Sequence, residues 1–196
     1  ELLLCPIGPL TNIAAAMELD PSFCSNLKGM VVMGGSLRAG GNITPAAEAN
    51  FYHDPHAADF VLRYGCNMTL VGLDVTNRVI CPRSFFVRLA SESPKMGGLL
   101  HDMAEFYIDF YETVGKFAGC GMHDPSALVA CIAPELFTTE PHALRVTLSG
   151  DRSGEMIAVA NSTDPQSRCG WSARLHHWFM NGVDRTCRSG FRSRDT

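Results

Sequence analysis

The sequence predicts an α/β fold, a mostly parallel, doubly wound sheet with helices on both faces. Short apolar runs closed by glycine or proline recur along the chain, and stretches of helical spacing separate them. In such a fold ligands collect beyond the carboxyl ends of the strands. The segments after Leu10, Met33 and Leu73 are therefore the places to look for chemistry.

The first run, Leu2 to Ile7, reads as a buried strand closed by Gly8-Pro9, and the Ala-rich stretch to Leu19 reads as a helix with Thr11 or Asn12 as its cap. Asp20-Pro21 ends that helix. Leu27 to Met33 is a second strand stopped by Gly34-Gly35, and Gly40 to Pro45 is loop. Pro55 to Tyr64 has the spacing of an amphipathic helix, and Met68 to Leu73 is a third strand. Helical patterns then dominate over 84–91, 99–114 and 125–133, and 144–148 with 156–160 suit a hairpin across Gly150 to Gly154. From Asn161 to Thr196 no clean period is present. The expected division is a domain over 1–160 and a divergent, poorly ordered tail over 161–196.

With 196 residues, 46% hydrophobic and 18% charged, the chain is long enough to bury a core and too apolar for a disordered protein. Glycines and charges interrupt every apolar run, which excludes a membrane span. The formal charge of -4 and the scatter of Lys and Arg argue against nucleic acid. The four arginines of Arg185 to Arg194 read as a solvated tail, with a nucleic-acid or anionic patch as the alternative. The eight cysteines sit singly in or beside apolar segments, as at Cys66, Cys81 and Cys131, which suits reduced core thiols. No signal sequence is present, so a cytoplasmic location is expected. Position 1 is Glu and an apolar run follows at once, so upstream sequence is expected to have been lost.

Three groups of residues can carry chemistry. Asn42, Glu48 and Asn50 place one carboxylate between two amides after a strand end, a mixed donor and acceptor set that suits the vicinal hydroxyls of a sugar. They equally suit capping and turns. His123 and Asp124 precede Pro125 and an apolar helix. Asp124 fits an N-cap, but a carboxylate there also suits a hard cation, and His123 can move a proton near neutral pH. The turn Gly8 to Asn12 can expose a backbone carbonyl to a cation.

In order, the strings GPLTNIA, MGG, GN…AEAN with DPHAA, VGLDVT, and HDP before an apolar helix resemble the inosine-uridine-preferring nucleoside hydrolase family. The resemblance implies a nucleoside hydrolase fold, with its amino-terminal part missing here, and hydrolysis of the N-glycosidic bond of a ribonucleoside to base and ribose. It implies a calcium cofactor held by the Thr11 carbonyl and the Asp124 carboxylate. Met33, Asn42, Glu48 and Asn50 would bind the ribose, and His123 would protonate the departing base. The family's Asp-rich DxDxGxDD segment, which supplies the other calcium carboxylates and the general base, is absent. The chain by itself is thus expected to be inactive, with a degenerate ribosyl-binding or structural remnant as the alternative. Homo-oligomers are expected from the family, and an inosine or uridine preference from His123.

Overall fold

The computed structural model describes residues 2–65, 67–114 and 118–159, and the backbone of 171–175. The expected tail, Cys66, Ala160 and the Arg185 to Arg194 cluster otherwise lie outside the described residues.

Strand β1 (Leu2–Leu4) leads through the Gly8-Pro9 turn into helix α1 (Thr11–Leu19), and β2 (Leu27–Met33) follows. After a long loop come α2 (Ala49–His53), α3 (Pro55–Tyr64), β3 (Met68–Val71) and the single turn α4 (Leu73–Thr76). The remaining described elements are β4 (Ile80–Cys81), α5 (Arg83–Glu92), α6 (Pro94–Thr113), β5 (Cys120–Gly121), α7 (His123–Ile132), β6 (Phe137–Pro141), β7 (Leu144–Val146), β8 (Met156–Ala158) and β9 (Trp171–Leu175). The main sheet runs β1-β2-β3-β9-β6, with β1, β2, β3 and β9 parallel and β6 antiparallel at the far edge.

The alternation of β2 explains why it is apolar from Met30 to Met33. Met30 and Val32 pack on one face with Leu70 and the Ala57, Ala58, Val61 and Leu62 side of α3. Val31 and Met33 pack on the other with Val71 and with Ala127 and Ala130 of α7. A strand covered on both faces has no polar positions to offer. Strand β1 differs from the buried strand expected: Leu2 is 72% and Leu3 40% exposed, because β1 is an edge with β2 as its only partner among the described residues. Beyond it the Pro6 carbonyl still accepts from Met33 N at 2.9 Å, which aligns the ends of β1 and β2.

Two expected caps are not made. Helix α1 begins from Leu10 without a side-chain cap, and α7 begins from Met122, which leaves Asp124 within the first turn. The third strand stops at Val71, and Leu73 and Asp74 belong to α4, where Leu73 N donates to the Gly35 carbonyl at 3.0 Å. Helix α6 starts at Pro94, not Leu99. Gly97 lies against α5 so closely that a Cβ would stand 2.1 Å from the Leu89 carbonyl oxygen, so this glycine permits helix contact and does not end the helix. The expected hairpin forms as β7 and β8, its turn bounded by Gly150 and Gly154 at φ 76° and 84°.

Candidate active site

The carboxyl ends of β2 and β3 and the start of α7 converge, and Glu48 organises the loop after β2. It is 2% exposed and caps α2, with Oε1 accepting from Asn50 N at 2.9 Å and Oε2 from Phe51 N at 3.2 Å. Oε2 also accepts from Gly35 N at 2.9 Å, so one carboxylate ties the strand end to the helix start. Burial raises the Glu48 pKa above its ordinary value, the three backbone donors oppose that shift, and the charge of Asp124 adds to it. Gly34 keeps the Phe51 ring close, since a Cβ there would meet that ring at 2.6 Å.

Asn50 points back across the strand ends. Its Nδ2 donates to the Met33 carbonyl at 3.1 Å, with Met33 Sδ at 3.4 Å and the Ile7 carbonyl at 3.4 Å. Asn42 is exposed, and its Oδ1 accepts from Ala49 N at 2.9 Å, holding the loop over the first residue of α2. Asp74 supports the same loop from β3's end, accepting from the backbone N–H groups of Leu37, Arg38 and Ala39 at 2.7, 2.8 and 3.0 Å.

At the head of α7 the His123 ring lies between two hydroxyls, with Nδ1 2.7 Å from Thr76 Oγ1 and Nε2 3.1 Å from the Tyr111 hydroxyl. Thr76 is fully buried, and burial pushes the Tyr111 phenol above its ordinary pKa. Asp124 is half-buried and its own pKa is raised by that burial. Its charge adds in a small way to the upward shifts of Glu48, Tyr111 and Cys5. The Cys5 thiol, half-buried and interacting with Cys131, has its pKa pushed up to about 12.

Met33, Asn50 and Glu48 thus form one connected group, Asn42 holds the adjoining Ala49 amide, and the charge of Asp124 at the head of α7 acts on Glu48. Thr11 does not join them. It is the first residue of α1, its carbonyl enters the helical ladder, and its hydroxyl donates to Asp54, the cap of α3. The Gly8-Pro9 turn carries the chain away from the strand ends, so the carbonyl that reaches Asn50 is that of Ile7. Sequence reasoning missed Ile7 because a backbone acceptor has no side-chain signature. It missed Tyr111 and Thr76 because neither lies near His123 in the chain.

Asp124 and the Ile7 carbonyl are hard oxygen donors of the kind calcium takes, but such an ion takes about 6 to 8 oxygens. Among the described residues no group of three or more His, Cys, Asp or Glu is gathered to hold a metal. The described donors therefore do not amount to a calcium site.

A family model described as inosine-uridine preferring nucleoside hydrolase matches residues 1–186. A probable uridine nucleosidase 1 of Oryza sativa subsp. japonica is 37% identical over 172 residues, covering 88% of this chain and 53% of the relative. An inosine-uridine preferring nucleoside hydrolase of Leishmania major is 35% identical over 162 residues, 81% of this chain and 50% of the relative. Among solved structures, a purine-preferring ribonucleoside hydrolase from Gardnerella vaginalis superposes with a TM-score of 0.84 at 34% identity, covering 93% of this chain and 58% of that one. The chain spans about half the length of the curated relatives it matches.

Proposed function

The chain belongs to the inosine-uridine preferring nucleoside hydrolase family, and from that premise we propose that its site serves hydrolysis of the N-glycosidic bond of a ribonucleoside, of inosine or uridine type, to base and ribose. The observation that carries the reading is the buried Glu48 carboxylate that accepts from the Asn50 amide and feels the charge of Asp124, the residue next to His123.

In this reading the amides of Asn42 and Asn50 and the carboxylate of Glu48 hold the ribose hydroxyls, with Met33 under the sugar. Cleavage makes the sugar oxocarbenium-like, and the negative charge of Glu48 favours that state. His123 protonates the departing base, and Thr76 and Tyr111 fix the plane of its ring; general acid catalysis of this kind contributes typically about 10²- to 10⁴-fold. Asp124 and the Ile7 carbonyl, the latter in the place first given to Thr11, would supply two of the oxygens a calcium ion needs. The described residues leave that site incomplete, so this chain alone is expected to be inactive. No helix among the described residues is long and apolar enough to cross a membrane. The free thiols Cys5, Cys120 and Cys131 support a reducing compartment such as the cytoplasm.

Saturation-transfer NMR of the chain with inosine and with uridine tests the ribose side. Binding of either, weakened by Asn50→Ala, is the expected result, and no binding of either nucleoside or of ribose overturns the proposal. Calorimetry with calcium and a reducing-sugar assay test the rest. Weak calcium binding without ribose release is expected, and nucleoside binding with no activity under any reconstitution would favour a non-catalytic ribosyl-binding role. Tight calcium binding with turnover would refute the incomplete metal site.

A further inference from the structure

Cys5 and Cys131 are far apart in the chain and meet in the fold. Cys5 follows the last residue of β1, and Cys131 lies in the last turn of α7. Both pack against one buried cluster, to which β2 contributes Val31 and Met33 and α7 contributes Ala127 and Ala130. The Cys5 thiol interacts with the Cys131 side chain by hydrogen bonding. Both thiols are half-buried, so neither is sealed from a small reagent. The proposed hydrolysis gives neither of them a task. Two reduced thiols that the tertiary structure brings together, open in part to solvent, suit thiol–disulfide exchange.

We propose that Cys5 and Cys131 form a thiol–disulfide site, which a small disulfide of the oxidised-glutathione class closes into an intrachain link clamping the end of β1 to α7. One protein thiolate attacks the small disulfide, forms a mixed disulfide and expels one small thiolate. The other protein thiolate attacks the mixed disulfide, joins the two protein sulfurs and expels the second small thiolate. The protein thiols lose two electrons and two protons, and the small disulfide takes up both to become two small thiols. The link acts where the fold is least supported. Strand β1 is an edge with β2 as its only partner among the described residues, and Leu2 and Leu3 are exposed. A covalent tie beside its last residue fixes that edge to a helix that itself packs on β2. The same segment carries Ile7, whose carbonyl accepts from Asn50 Nδ2 at 3.4 Å, so the link also steadies that contact. The closed loop takes in most of the described chain, and a long loop removes much entropy from the unfolded state.

Incubation of the folded 196-residue chain with oxidised glutathione, followed by acid quenching, alkylation of the remaining thiols and peptide mass spectrometry, tests the site. The expected product is a peptide pair joined through Cys5 and Cys131 and released by dithiothreitol. The linked protein is expected to unfold at a urea concentration about 1 M higher than the reduced protein, with dithiothreitol restoring the lower midpoint. In Cys5→Ser the second attack is lost, so Cys131 is expected to retain about tenfold or more of the glutathione adduct that the wild type resolves. The wild-type peptide map decides the matter even if Cys5→Ser fails to fold. Cys5 and Cys131 that both stay alkylatable in the folded chain, stable glutathione adducts on them without a link, or a link that forms only in urea would each overturn the site. A link that leaves the urea midpoint unchanged would overturn the clamp.

Discussion

Replacing Glu48 with alanine deletes the acceptor of three backbone N–H groups at once, those of Gly35, Asn50 and Phe51. The Asn50 and Phe51 donors belong to the first turn of α2, and losing such a cap costs typically about 1 kcal/mol, up to ~2. The Gly35 donor is buried with its carboxylate, and leaving it unpaired costs about 1–3 kcal/mol more. Relief of the carboxylate's own desolvation offsets part of this, so Glu48→Ala is expected to lower the unfolding free energy by about 2–4 kcal/mol, a large share of the ~5–15 kcal/mol of an ordinary domain. Glu48→Gln keeps the shape and one oxygen but turns a donor toward one of the N–H groups, for about 1–2 kcal/mol. Urea unfolding followed by circular dichroism measures both, with an unchanged m-value as the condition for reading the midpoints as stability. A loss under about 1 kcal/mol for Glu48→Ala would show that this carboxylate does not hold the loop to α2, and the reasoning for the sugar side would go with it.

Burial lifts the folded-state pKa of Glu48 above 4.5 and of Asp124 above 3.8. As pH rises from below those values through the raised ones, the folded chain holds protons the unfolded chain has already lost, so these two groups make stability fall. Urea midpoints measured across that window should fall less steeply in Glu48→Gln than in the wild type, and an equal or steeper fall contradicts the assignment. Asp74→Ala frees the amides of Leu37, Arg38 and Ala39, and hydrogen exchange should quicken at those positions while Val31 and Val32 in β2 stay protected; unchanged exchange there would mean the loop is held by other contacts. Thr76→Val removes the partner of His123 Nδ1 inside the core at a cost of about 1–2 kcal/mol, and NMR of the His123 ring should show a changed environment, whereas an unchanged ring signal would deny the contact.

Strands β2 and β3 were legible because burial on both faces demands apolar runs; Gly34-Gly35 marked the end of β2, while β3 was carried past Gly72 to Leu73 because the apolar run continues into α4. Glu48 and Asn50 were legible as a pair, but both readings of Glu48 hold: it is the cap of α2, and it is buried at the strand ends. The start of α6 was misplaced because a Gly-Gly pair reads locally as a breaker, whereas Gly97 is small to let α5 approach. The resemblance gave Thr11 as a cation ligand; the fold turns it toward Asp54 and brings the Ile7 carbonyl to Asn50.

Chain order and residue type determined the alternation of elements, the apolar surfaces each strand buries, and the family, since these depend on local spacing and on strings that survive as strings. Which groups face one another was decided by the tertiary structure alone. The meeting of His123 with Thr76 and Tyr111 depends on how α4, α6 and α7 are set against one another, and the choice of Ile7 over Thr11 depends on where one turn leaves the sheet. Those are directions in space, and spacing along the chain does not encode them.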